Sequence, residues 1–316
     1  MSRATSLAEF RVQRRWYIGG TDVAAIAGLS PWASPLSVYL DKIGESRDDR
    51  ETLAMRRGLA LEDFIASEFC RARRGLVTYK PRPIVRIDWG FPAGGSLDRM
   101  VAHESHPRTP IAVLDMKAAL RFGRQQFDPE TGELPDHYYI QLQWYMAVAE
   151  LPQGYIAADV GDEDLRIVEV APNEQVQQQL IRRAHDFWTR HVEPRIPPEP
   201  SGSEEDGKAL ARMWPETIPE PPLELDADAD ATLSDYLAHK FKAEEHGREA
   251  DAAKQKLCAL MGEHEAALLP GWRLAWKQQV RKSIDTKALR AAHPAIAEEF
   301  TRESTSRPFL VKEITP

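Results

Sequence analysis

Two short runs in this chain bring carboxylates and an amine within reach of one another. Gly94-Gly95-Ser96-Leu97-Asp98 ends in one carboxylate. Ala112-Val113-Leu114-Asp115-Met116-Lys117 carries a second, two residues before a lysine. Read as the two strands of one hairpin, with Arg99 to Pro110 as the connection, they bring Asp98 close to Asp115. Strand alternation puts Val113, Asp115 and Lys117 on one face and Leu114 and Met116 on the other. Two carboxylates can hold a hard divalent cation through oxygen. A lysine beside them can orient or deprotonate a water, or neutralise charge building on a phosphate. A D-x-K tripeptide alone is more often a solvated strand edge with a surface ion pair. The reading therefore depends on what the rest of the chain brings to it.

The surrounding elements follow from periodicity and punctuation. Residues 5–17 have helical spacing (Leu7, Phe10, Arg14, Tyr17). In Ile18-Gly19-Gly20-Thr21-Asp22, Thr21 or Asp22 can cap a short apolar helix ending at Gly28. A glycine pair before a helix start also suits an anion, though a tight turn into a buried helix is the plainer reading. After Ser30-Pro31-Trp32 a short helix is expected over about 35–43, then a long one from Glu51 to Gly75. On the long helix Leu61, Ile65 and Phe69 share a face, with Glu62 at its border. Strands are expected over 76–80 and 84–88 before the hairpin. A loop from Ala118 to Pro135 carries Arg121 and Arg124. A helix over 135–149 then places His137, Gln141 and Tyr145 on one face, pointing at a site or else held as satisfied core polar groups. Strands over 154–159 and 165–169 and a helix over 173–191 complete a unit spanning 1–195. Residues 196–225 are rich in Pro and acids and read as a linker or wrapping arm. Residues 226–316 read as a helix from Ala227 to about Ala267 with a break at Gly247, a strand over 271–280, a helix over 287–300 capped by Asp285-Thr286 and interrupted at Pro294, and a last strand over 307–314.

The chain has 316 residues, 42% hydrophobic and 28% charged, which is ordinary for a globular protein. No apolar run approaches the roughly 20 residues of a membrane span, and the N-terminus lacks the apolar core of a secretory signal. Two distant cysteines, Cys70 and Cys258, support neither a disulfide framework nor a zinc or iron–sulfur site, which suggests a cytoplasmic setting without membrane partners. The net charge of −8 is unevenly spread. Residues 1–124 hold 20 Lys and Arg against 14 Asp and Glu, or +6, leaving 21 against 35, or −14, for the remainder. The basic part holds the two carboxylate runs, and it suits a phosphate-bearing partner.

Taken in order, a helix with Glu62, a run ending in Asp98, a strand with Asp115-x-Lys117 and a helix with Gln141 resemble the PD-(D/E)xK nuclease core, an α+β fold with a mixed sheet flanked by helices. Within it the chain resembles the YqaJ type of phage recombination exonucleases, relatives of the lambda exonuclease. The likeness runs over roughly residues 10–195. It is carried by Arg14 before Ile18-Gly19-Gly20-Thr21-Asp22, by Gly28-Leu29-Ser30-Pro31-Trp32, by Gly58 with Glu62, by the Asp98 and Asp115-Met116-Lys117 runs, and by Tyr138-x-x-Gln141-x-Gln143-x-x-Met146. Two positions depart from the family pattern: Asp115 stands where Glu is commonest, and Thr21 where Ser is usual.

The resemblance implies a metal-dependent DNA exonuclease. Glu62, Asp98, Asp115 and the backbone carbonyl of Met116 would hold one or two Mg2+ ions, with Mn2+ as an alternative. Lys117 would position a water or assist its deprotonation, and Gln141 would contact that water or the phosphate. Ser96 and Tyr145 would support the site. Arg14 and Thr21 would hold the 5′-phosphate of a double-stranded DNA end, giving 5′ to 3′ digestion. The resemblance also implies a single-strand annealing protein as partner and a homo-oligomer, a ring-shaped trimer in some members. A structure-selective endonuclease of the same core and a catalytically inactive DNA-binding or inhibitory module are the competing readings.

Overall fold

The strand that carries Asp115 and Lys117 runs through the middle of a five-stranded sheet. In the computed structural model, residues 13–45, 52–119, 127–161, 165–218, 221–302 and 307–312 are described. Most of the helix expected over 5–17, and Arg121 and Arg124 of the expected loop, lie outside them. The first elements are helices α1 (Gly20–Ile26), α2 (Pro35–Lys42) and α3 (Leu53–Ala72). Strands β1 (Leu76–Tyr79), β2 (Ile84–Arg86), β3 (Ala93–Gly95), β4 (Arg99–His103) and β5 (Pro110–Ala118) follow. Helix α4 (Asp136–Ala149), strands β6 (Gly154–Asp159) and β7 (Arg166–Val170), and helix α5 (Glu174–Phe187) come next. A single π-helical turn, Trp188–Val192, extends α5. The main sheet has the order β1-β4-β5-β6-β7 and is antiparallel except between β5 and β6, which α4 connects as a parallel crossover. This is the mixed α+β sheet flanked by helices that the sequence predicts.

The expected hairpin is corrected in its first strand. The 94–98 run does not pair with β5. Ala93–Gly95 pairs with β2 in a separate two-stranded sheet, the chain bends, and β4 begins at Arg99, opposite Leu114 of β5. The cause is close packing at Gly94. A Cβ there would lie 2.5 Å from Tyr17 Cδ2 and 2.7 Å from the Ile84 carbonyl oxygen, so only glycine lets these backbones meet. Trp144, fully buried, donates its indole N–H to the Gly94 carbonyl at 2.9 Å and fastens α4 to this turn.

Alternation along β5 divides the core as expected. Val113 packs with α4, α5, α1 and α2 residues, including Leu142, Trp144, Leu180, Val23 and Leu36. Leu114 and Met116 pack on the other face with Ile65 and Phe69 of α3 and with Tyr155 of β6. Each fully buried side chain of this size contributes about 1.5–3 kcal/mol, so the two layers hold β5 firmly from both sides. Asp115 and Lys117 therefore face the α4 side.

The stretch 196–225 also differs from the expected linker. It contains helix α6 (Glu204–Met213), capped by Ser203, whose Ala209 is fully buried in the main core. Buried Asp206 accepts hydrogen bonds from the Ser201 backbone N–H and hydroxyl and lies beside Ser34 at the start of α2. The many prolines bound this helix without interrupting it. The chain divides into compact units after Glu216 rather than at 195.

The second unit, Thr217–Pro316, contains the 35-residue helix α7 (Ala227–Met261), the hairpin β8 (Ala266–Leu269) and β9 (Trp272–Ala275), and helices α8 (Thr286–Ala292) and α9 (Pro294–Glu299). Gly247 does not break α7. One internal glycine costs about 1 kcal/mol relative to alanine, which the surrounding Ala, Glu and Lys outweigh. Residues 307–312 form no strand, and Phe309 instead meets the Tyr236 ring at 5.5 Å. Among the described residues, no helix is long and apolar enough to cross a membrane.

Candidate active site

Asp115 and Lys117 rise from β5 on the α4 side, two residues apart and so on one face. Asp115 is 2% exposed, and its Oδ2 lies 2.6 Å from Lys117 Nζ in a contact ion pair rather than a well-aligned hydrogen bond. From the bend before β4, Asp98 turns its Oδ2 to accept the backbone N–H of Met116 at 2.8 Å. That bond fixes Asp98 against the strand between its two functional neighbours. Burial, and then the charge of Asp115, push the Asp98 carboxyl up to about 6. Burial alone would lower the Lys117 amine, but Asp115 and Asp98 outweigh it and raise its pKa, so the amine stays charged.

Helix α4 covers this group with its polar face. Lys117 Nζ donates to Gln141 Oε1 at 3.3 Å, and Gln141 Nε2 donates to the Tyr145 hydroxyl at 3.0 Å. Burial, followed by the charges of Asp115 and Asp98, raises the Tyr145 phenol, keeping it neutral. Tyr138, one helical turn before Gln141, lies under Lys117, with Nζ 4.5 Å from the ring centre. Gln143 and Met146 of the same motif belong to the core. Gln143 is fully buried, accepting from the Asn173 N–H and donating to the Ala171 carbonyl, which fastens the start of α5.

Glu62 is not gathered with the two aspartates. It sits on α3, on the opposite side of the sheet from α4, and pairs with Lys80 at 3.0 Å and Arg99 at 3.6 Å. Arg99 in turn donates to the Asp98 carbonyl at 2.7 Å and pairs with Asp63. Glu62 thus reaches Asp98 through a cation. Among the described residues, no three His, Cys, Asp or Glu side chains come together closely enough to hold an ion. Lys80 and Arg99 are the site residues that sequence reasoning missed. Lys80 ends the segment after β1, and only the pairing of β1 with β4 brings it near Asp98.

Arg14 and Thr21 stand together, the guanidinium donating to the Thr21 hydroxyl. Buried Asp22 organises the turn. It accepts from the Gly19 N–H at 2.8 Å and from Lys42 at 2.7 Å, and Arg14 lies 3.5 Å from it. Burial would raise this carboxyl, but Lys42 and Arg14 reverse the effect and lower it. The turn abuts α4 because Gly20 lacks a side chain: a Cβ there would lie 2.7 Å from the Tyr145 ring and 3.0 Å from Gln141 Cγ. Arg14 and Thr21 are thus carried on the turn that packs against Gln141 and Tyr145. Ser96 is half-buried in the bend leading to Asp98.

The donor set suits a hard divalent ion. Asp98, from the bend before β4, and Asp115, from β5, offer carboxylate oxygens, and the raised Asp98 carboxyl reflects burial together with the neighbouring negative charge. Mg2+ takes one or two carboxylates together with water and phosphate oxygens, which is what this pair can supply. The Met116 carbonyl belongs to the same stretch of strand.

Over 311 residues the chain is 26% identical to the uncharacterized protein YqaJ of Bacillus subtilis (strain 168), covering 97% of this chain and 94% of that one. Among solved structures, an alkaline exonuclease from Laribacter hongkongensis shares a TM-score of 0.48 at 15% identity, over 66% of this chain and all of that one. A phage-related exonuclease from Haemophilus somnus 129PT gives 0.40 at 13% identity, over 57% and 97%. Residues 9–152 match the model of the YqaJ-like viral recombinase domain, a span that holds Arg14, Thr21, Glu62, Asp98, Asp115, Lys117 and Gln141.

Proposed function

We propose that this protein is a divalent-metal-dependent deoxyribonuclease that digests duplex DNA from its ends, 5′ to 3′, leaving single strands for an annealing protein in phage-type recombination. The observation that carries the reading is the connected set Asp98, Asp115, Lys117 and Gln141 on one side of β5, inside a recombinase-type domain. Asp98 and Asp115 would hold the ion, Mg2+ or Mn2+, with the Met116 carbonyl. When bound, the ion would polarise the scissile phosphate and lower the pKa of an attacking water. Lys117 is held charged by the two aspartates, so its part is to orient the water and offset charge building on the phosphate rather than to accept a proton. Gln141 keeps the Lys117 amine in place and Tyr145 keeps Gln141 in place. Lys80, exposed beside Glu62 and near Asp98, would meet a DNA strand approaching the site.

Arg14 and Thr21 would receive the terminal 5′-phosphate, since a guanidinium and a hydroxyl on one turn match two phosphate oxygens. Their place beside α4 would set the distance from the chain end to the bond that is cut. The ring-shaped trimer and the annealing partner belong to the same reading. The experiment is digestion of linear duplex DNA, labelled at one end or the other, with Mg2+ and a closed circle alongside. The reading expects nucleotide release from 5′ ends, a spared circle and arrest by chelator. A cut circle would replace it with an endonuclease, and binding without cutting would replace it with a binding module.

A further inference from the structure

Trp32 is 62% exposed, unusual for the largest apolar side chain, and it is built into a cluster of rings that ends at Lys117. His137 meets it at right angles, with ring centres 4.9 Å apart, and the tilted Tyr138 ring is 6.1 Å away. His137 and Tyr138 are themselves 4.0 Å apart. Tyr138 is fully engaged. Buried Phe127 stacks on it at 5.8 Å, and Lys117 Nζ lies 4.5 Å from its centre. Trp32 is therefore the outer, open member of the cluster, separated from Lys117 by one ring. A perpendicular contact with His137 leaves an indole face free for a second flat ring. The His137 Nε2 atom is buried, with no hydrogen-bond partner found for it among the described residues. It lies within the same cluster.

We infer that Trp32, propped by His137 and Tyr138, is a stacking platform for a nucleobase of the DNA strand held at the Asp98–Asp115–Lys117 site. The inference rests on the nuclease reading above and adds a base-binding subsite to it. Every base has a π face, so the platform takes any of the four and holds the strand by shape rather than sequence. A base stacked one ring away from Lys117 would fix the position of its neighbouring phosphate relative to the lysine. An exposed tryptophan also suits a protein partner, but continuity with the catalytic lysine favours the base.

The test measures binding by fluorescence anisotropy for wild type, Trp32→Ala and Trp32→Phe, using a duplex end in Ca2+ buffer. The end is either intact or carries one abasic residue at each of its first few positions in turn. Stacking at about 1–3 kcal/mol per base predicts a loss of about 5- to 150-fold for Trp32→Ala on intact DNA. At one abasic position that loss should shrink to near unity, because the base is already missing, and Trp32→Phe should retain most of the affinity. Equal loss on intact and every abasic end, or no loss at all, would overturn the platform while leaving the nuclease reading standing. Failure of the wild type to bind or cut DNA would overturn both. Trp32 is exposed, so unchanged melting temperatures are expected for both variants.

Discussion

Replacing Asp98 with Asn should make the metal-free protein more stable at pH 8 while removing its activity. The Asp98 carboxyl is raised from 3.8 to about 6, first by burial and then by Asp115. A raised acid prefers its protonated form in the folded state. Its contribution to stability is thus complete below about pH 4 and is lost as pH rises through 6. Two units at about 1.4 kcal/mol each give about 3 kcal/mol as an upper value, since Asp98 is only half-buried by accessible surface. Asn keeps an oxygen that can accept the Met116 N–H, so the hydrogen bond survives while the titration disappears. Urea denaturation of wild type and Asp98→Asn in chelator, at steps from pH 4.5 to 8, measures this directly. The stability of the wild type relative to the variant should fall by up to about 2 kcal/mol across that range, the rest of the effect lying below pH 4.5. Adding Mg2+ at pH 8 should restore the wild type by mass action and affect the variant little. A difference constant with pH to within about 0.5 kcal/mol would refute the claim that the two carboxylates crowd one poorly hydrated place.

The other predictions concern separate parts of the fold. Gly94→Ala should cost about 1–3 kcal/mol or more in thermal or urea unfolding, because its methyl would collide with Tyr17 and with the Ile84 backbone; an unchanged midpoint would contradict the close approach. Arg14→Ala should lower the rate on 5′-phosphorylated ends about tenfold to a hundredfold more than on 5′-hydroxyl ends, the size of a lost charge-assisted hydrogen bond. Equal losses would remove the 5′-phosphate role. Lys80→Ala should weaken DNA binding and reduce the slope of log affinity against log salt by about one phosphate contact. An unchanged slope would place Lys80 away from the DNA path.

Much of the sheet and its flanking helices was legible from local chemistry. The alternation Val113, Asp115, Lys117 against Leu114, Met116 is set by the strand repeat and needed no knowledge of neighbours. The α3 stripe of Ile65 and Phe69 was readable for the same reason. Asp98 was correctly placed near Asp115, but by the wrong strand. Arg99 is buried at the start of β4, and a charged, centrally paired strand carries no alternation to read. Gly94 lies in a short strand, yet its use is close approach to Tyr17 and the Ile84 backbone, and Gly95 lies against Leu97 and Tyr145; these are mostly contacts between distant segments. The arm over 196–225 misled because proline content outweighed a Ser203 cap followed by three acids, which is a helix-start signal. Lys80, Arg99 and the grouping of Trp32 with His137 depend on long-range pairing and had no local signature. His137 was visible only as a neighbour of Gln141 and Tyr145 on one helix face.

The most direct test of the site is digestion of linear duplex DNA in Mg2+ by wild type, Asp115→Ala and Lys117→Ala, with circular dichroism confirming that each variant is folded. The account predicts that both variants lose at least about a hundredfold in rate, as expected when groups facing the developing charge are removed. A folded Asp115→Ala or Lys117→Ala protein that cuts at the wild-type rate would contradict it, and the catalytic centre would have to lie elsewhere in the chain.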